Sequence, residues 1–160
     1  MSSLIIRHIN QTGKDINSIK TLFGDYFTEL NEDLCFQHFD EEVENPLLKY
    51  GSPKGSLLLA LWNNEPAGCV ALQPLETNGV CEMKRLYVKP ECRKHGVGDV
   101  LVKQILAAAI IMGYEKMVLD TLSRLTAAIR LYERYGFVHT SAYYDNPLAN
   151  VVYMEKELKI

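Results

Sequence analysis

Several features that would take the chain out of the ordinary soluble class are missing. Its four cysteines, Cys35, Cys69, Cys81 and Cys92, have no Cys-x-x-Cys spacing and no paired histidines beside them. That pattern excludes the usual structural zinc sites and redox pairs, so no metal is expected. Cys69 and Cys81 fall inside apolar strand patterns and read as small buried hydrophobes. No apolar run approaches the roughly 20 residues that span a bilayer, and the first residues lack the pattern of a secretory leader. The expectation is a cytoplasmic protein with no membrane partner. Charge of one sign is not in excess either: 17 Lys and Arg face 20 Asp and Glu, a net −3. That balance argues against broad nucleic-acid binding. Repeats, low-complexity tracts and linkers are absent. A chain of 160 residues then reads as one domain over 1–160, long enough to bury about 70% of its unfolded surface.

What is present centres on Val80–Gly98, VCEMKRLYVKPECRKHGVG. Val80 to Val88 carries the β-branched and aromatic residues of a half-buried strand, and Pro90 ends it because proline cannot donate to a ladder. Arg93-Lys94-His95-Gly96-Val97-Gly98 then opens directly into an apolar helix that stops at Gly113. Glycines at a helix mouth let several N–H groups converge where the helix dipole adds about half a positive charge. Cationic Arg93 and Lys94, with His95 when protonated, complete a place to hold a pyrophosphate. A dinucleotide fingerprint needs a small residue where Leu101 stands, and a P-loop needs Lys-Ser/Thr where Asp99 and Val100 stand. Both of those readings fail by residue.

The remaining elements follow in order. Leu4–Ile9 reads as a strand, and Thr12 to Asp15 as a capping box for a helix with Ile16, Ile19, Leu22, Phe23, Phe27 and Leu30 on one face. A short helix near Asp40–Glu44 ends at Pro46, and Gly51–Gly55 is a connector. Ser56–Trp62 and Ala67–Leu75 form a hairpin about Asn63–Pro66. After the long helix come a buried strand (Lys116–Thr121), a helix marked by Leu125 to Tyr135, and two strands, Phe137–Ala142 and Val151–Leu158. The pattern is mixed α/β around one central sheet.

Arg-x-x-Gly-x-Gly after a strand ending Leu-Tyr-Val resembles the acyl-CoA signature of the GNAT superfamily of N-acetyltransferases. Ala128-Ile-Arg-Leu-Tyr132-Glu-Arg-Tyr-Gly136-Phe137 resembles that family's second motif. The resemblance implies a mostly antiparallel twisted sheet of about seven strands with helices on both faces. It implies acetyl-CoA as acyl donor and a primary amine, on a small molecule or a protein, as acceptor. The pyrophosphate would rest on Arg93, Lys94, His95, Gly96, Val97, Gly98 and Asp99. The pantetheine arm would run along Leu86, Tyr87 and Val88 with Ala128 nearby. Lys94 stands where the family often has glycine, and Leu125 where it often has asparagine.

Direct transfer needs a deprotonated amine and a protonated leaving thiol. By resemblance, Glu82 is the candidate base and Tyr132 the candidate acid; each also reads as a structural residue, a salt-bridged strand carboxylate and a core aromatic. An acceptor pocket is expected from Phe36, Gln37, Phe39, Asp40, Arg85, Tyr143, Tyr144 and Asn146. The acidic balance and Asp40 would suit a cationic amine. The alternative is a non-catalytic acyl-CoA-binding sensor, which needs the glycine loop alone. A homodimer is compatible with a free sheet edge or the last hairpin.

Overall fold

The computed structural model describes residues 2–159. Its strands are β1 Leu4–His8, β2 Ser56–Trp62, β3 Glu65–Pro74, β4 Val80–Val88, β5 Lys116–Leu122, β6 Val138–Thr140 and β7 Val151–Glu157. They form one sheet in the order β1-β2-β3-β4-β5-β7-β6, antiparallel except for β4 and β5. The helices are α1 Lys14–Leu30, α2 Phe39–Glu44, α3 Pro46–Tyr50, α4 Val97–Ile111 and α5 Thr126–Arg134.

Strand alternation divides the core in two. Leu58 and Ala60 of β2, with Val70 and Leu72 of β3, pack under Leu101, Val102 and Ile105 of α4 and Leu131 of α5. Leu57, Leu59, Cys69 and Ala71 point the other way, onto Ile19, Leu22 and Phe23 of α1 and Tyr50 of α3. With period 2, a single strand feeds both layers, so the central strands read as unbroken apolar runs.

Local departures from the sequence reading have simple causes. Asn63 and Asn64 both take left-handed φ, 51° and 67°, making the tight two-residue hairpin turn that favours asparagine. The strand therefore restarts at Glu65 and includes Pro66. The break expected at Pro46 is there, α2 ending at Glu44, but Pro46 also starts α3, since its missing N–H costs nothing in a first turn. No capping box forms: Gly13 precedes α1 without a side-chain cap. Asp15 instead accepts a hydrogen bond from Arg7 at 3.1 Å.

Among the described residues no helix is long and apolar enough to cross a membrane. Nor is there among them a group of three or more His, Cys, Asp or Glu placed to hold a metal.

Candidate active site

β4 and β5 pair at three positions only, Val80, Cys81 and Glu82 against Lys116, Met117 and Val118. Beyond Glu82 the strands part. The cause lies on the other edge of β4. Its register against β3 passes from Cys69↔Tyr87 to Ala71↔Lys84, so β4 carries an extra residue there. Arg85 absorbs it with φ 59°. A bulge bends its strand and increases the local twist, which swings the end of β4 away from β5 and leaves that edge of the strand without a strand partner.

Arg85 is held against this bend. Its guanidinium donates to Glu42 Oε2 at 2.6 Å and Oε1 at 3.0 Å, and its cation lies 5.6 Å from the Tyr26 ring centroid and 5.1 Å from that of Phe39. Burial opposes the Glu42 charge, but the hydrogen bonds and charge of Arg85, with Lys49 behind, hold its carboxyl below the usual range. Both partners stay ionised.

A groove of about 750 Å³ fills the wider part of the cleft. Leu86, Tyr87 and Val88 form one wall and Leu125 to Arg134 the other. Arg93, Lys94, Gly96, Val97, Gly98 and Asp99 close the end. Gly96 has φ 77° and precedes α4 with no side-chain cap, leaving the first N–H groups of the helix open to a ligand. At Gly98 a Cβ would stand 3.3 Å from Leu131 Cδ2, so glycine there permits close packing of α4 and α5. Lys94 takes φ 71°, a conformation that explains why glycine suits this position.

The groove is more cationic than the glycine loop alone, because Arg124, Arg130 and Arg134 also line it. Sequence reasoning passed over all three. Arg130 and Arg134 are one helical turn apart inside the second motif, and that spacing was the available signal. Arg93 is partly engaged, donating to Val88 O at 2.9 Å and to Glu29 at 2.7 and 2.8 Å. His95 is not brought to the groove. Its ring stacks on Trp62, centroids 4.8 Å apart.

The narrow part of the cleft holds a cavity of about 80 Å³, sharing Tyr26, Leu30, Leu86, Leu125 and Ala128 with the groove. Its polar lining, besides Tyr26, is Gln37, Lys84, Arg85, Asp120, Thr121, Tyr132 and Asn146. Asp120 Oδ2 accepts from Tyr144 Oη and from Asn146 Nδ2, the latter at 3.0 Å. Lys84 Nζ donates to Gln37 Oε1 at 3.1 Å and lies 3.7 Å from Asp120 Oδ1 and 4.0 Å from Glu82 Oε2. Burial first, then the Arg85 charge, pulls the Lys84 ammonium below its ordinary value. Burial, with Tyr26 and Asp120 adding to it, pushes the Tyr132 phenol well up, so it keeps its proton.

Several expected residues lie elsewhere. Glu82 is not in the cavity wall: Oε1 accepts from Gln73 Nε2 at 2.7 Å and Oε2 from Tyr143 Oη. Asp40 is exposed on the outer side of α2, and Phe36 packs against the α1-side core. Neither charge nor ring reaches the cavity from there. Tyr144 meets it through Asp120, Asn146 and Gln37. Lys84 and Asp120 were missed. The alternation Glu82, Lys84 on one face of β4, and a lone aspartate in an otherwise apolar strand, were the available signals.

The sequence matches the acetyltransferase (GNAT) family over residues 16–137. The chain belongs to the GNAT family. It is 47% identical to an uncharacterized N-acetyltransferase of Schizosaccharomyces pombe, over 91% of this chain and 90% of that one. It is 32% identical to human N-acetylaspartate synthetase over 68% of this chain but 35% of the relative. A GNAT-family acetyltransferase structure from Staphylococcus aureus aligns with TM-score 0.78 at 19% identity, covering 97% of this chain and all of that one. Another, from Streptococcus pneumoniae, aligns at 0.75 and 23% identity, covering 98% of this chain and 100% of that one. At such identities the structures speak to fold alone. The parted strands and the glycine loop are thus parts of a GNAT sheet.

Proposed function

We propose that this GNAT protein moves the acetyl group of acetyl-CoA to a primary amine by direct attack within a ternary complex. The observation that carries the reading is the continuity of two spaces. A cationic groove with a helix mouth runs into a small cavity where Lys84, Asp120 and Tyr132 converge. The groove suits a long donor with a polyanionic end, and the cavity suits a small polar acceptor.

In this reading the N–H groups of Gly96 to Asp99, with Lys94, Arg130 and Arg134, hold the pyrophosphate. The free edge of Leu86–Val88 takes the acyl arm, and an N–H of that edge stabilises the oxyanion formed on attack. Asp120 Oδ1 faces the cavity and takes the proton of the attacking amine; Glu82, one residue layer behind Lys84, sets the charge around it. When the C–S bond breaks, the departing thiolate takes the Tyr132 hydroxyl proton, and the second proton shed by the nitrogen restores the Tyr132 hydroxyl. An alkylamine is largely protonated at neutral pH, so attack needs an acceptor within the cavity for that proton.

Calorimetric titration with acetyl-CoA, with ATP and NAD as controls, tests the donor. An amine panel followed by thiol release tests the transfer. Saturable binding of acetyl-CoA with amine-dependent release is the expected result. Binding with release that ignores every amine would instead identify a sensor, and no binding would reduce the glycine loop to a turn.

A further inference from the structure

Lys84 is a buried ammonium with unused hydrogen-bonding capacity. Its side chain is 6% exposed, and of three N–H donors one is spent, on Gln37 Oε1 at 3.1 Å. The carboxylates at 3.7 and 4.0 Å attract it without reaching hydrogen-bond length. A buried ammonium left so is costly unless a further acceptor completes its shell. Beside it, Asp120 has both its hydrogen bonds on Oδ2, while Oδ1 faces Lys84. A free donor and a free acceptor therefore stand 3.7 Å apart in one small cavity.

We infer that the acceptor is an amino acid, its carboxylate bound by Lys84 Nζ and its amine by Asp120 Oδ1. This rests on the acetyl-transfer reading and narrows its acceptor. Charge supports it: Lys49, Lys84 and Arg85 balance Glu42, Glu82 and Asp120. An acceptor bearing only an ammonium would bring unbalanced charge into a buried, already neutral cluster, whereas a zwitterion does not. The short separation sets the geometry, with amine and carboxylate one or two carbons apart. The cavity volume of about 80 Å³ fits a small free amino acid. Asp40, the residue that suggested a cationic amine, lies outside the cavity.

The test sets each proteinogenic amino acid against its decarboxylated amine as acceptor, in wild type, Lys84→Met and Lys84→Arg. In wild type the best amino acid should exceed its decarboxylated partner by roughly 10²-fold in kcat/KM, the scale of a buried charge-assisted hydrogen bond. Lys84→Met should collapse that ratio to within a few-fold, mainly through KM, and Lys84→Arg should restore part of it. Decarboxylated amines serving equally well in wild type would overturn the proposal whether or not the variants fold. So would an equal loss for both acceptor types in a folded Lys84→Met. If acetyl-CoA binds but no amine is acetylated, the transfer reading fails by itself. Calorimetry of amino acids with CoA-loaded protein then decides: binding weakened by Lys84→Met supports the site, and no binding removes it.

Discussion

Arg85 Nε lies 2.6 Å from Glu42 Oε2, and the arginine that makes this contact is also the left-handed residue of the β4 bulge, φ 59°. The ion pair and the bend are one device. Glu42 sits on α2, so that helix is tied to the residue that opens the cleft.

Glu42→Ala should therefore cost about 3–5 kcal/mol, the usual effect of stranding one partner of a buried pair. Urea unfolding followed by circular dichroism measures it. A loss under about 1 kcal/mol would mean the pair is energetically neutral and the bulge is held by packing.

The same pair predicts acid sensitivity. Glu42 has a folded-state value depressed below its ordinary 4.5, so its stabilisation is complete above that value and is lost as pH falls through the depressed one. Between these limits wild-type stability should fall faster with acid than that of Glu42→Gln. Parallel curves for the two proteins would contradict the assignment.

Tyr132→Phe should lower turnover roughly 10²-fold, the low end for loss of a general acid, with acetyl-CoA affinity little changed. Single-turnover thiol release isolates the chemical step. An unaltered rate there would return Tyr132 to the core as an aromatic beside Phe137.

Much of this arrangement could be read from residues alone. Strand β4 has the same bounds in both readings because its apolar and β-branched pattern is punctuated on each side by glycine and proline. The glycine loop carried its meaning through backbone freedom, which glycine advertises. The cavity was not legible in the same way. Lys84 and Asp120 come from strands 36 positions apart, and what makes them face one space is the parting of β4 from β5. That parting depends on a bulge at an arginine, and no local rule places a left-handed conformation there. His95 failed for a related reason: its ring finds Trp62, a long-range partner invisible to motif spacing.

Asp120→Asn should reduce transfer by about 10² to 10⁴-fold and more than Glu82→Gln, whose carboxylate is turned to Gln73 and Tyr143. Initial rates with saturating donor and acceptor compare the two. The opposite ranking would return the base to Glu82.

Lys94→Gly separates conformation from charge. Relief of the left-handed φ of 71°, offset by the greater freedom of unfolded glycine, should leave stability within about 1 kcal/mol of wild type. Affinity for acetyl-CoA should fall and depend less steeply on salt, as one cation leaves the proposed pyrophosphate site. Calorimetry at two ionic strengths gives both quantities.

The three-pair contact between β4 and β5 also has a mechanical meaning. Strands β1 to β4 and strands β5 to β7 are two beams bolted at one end, with helix α4 as the strap between them. A molecule seated along the open end touches both beams and acts as a second bolt. Donor binding should then slow amide exchange far from the groove, along the outer strands β1 and β6, by stopping the beams from working against each other.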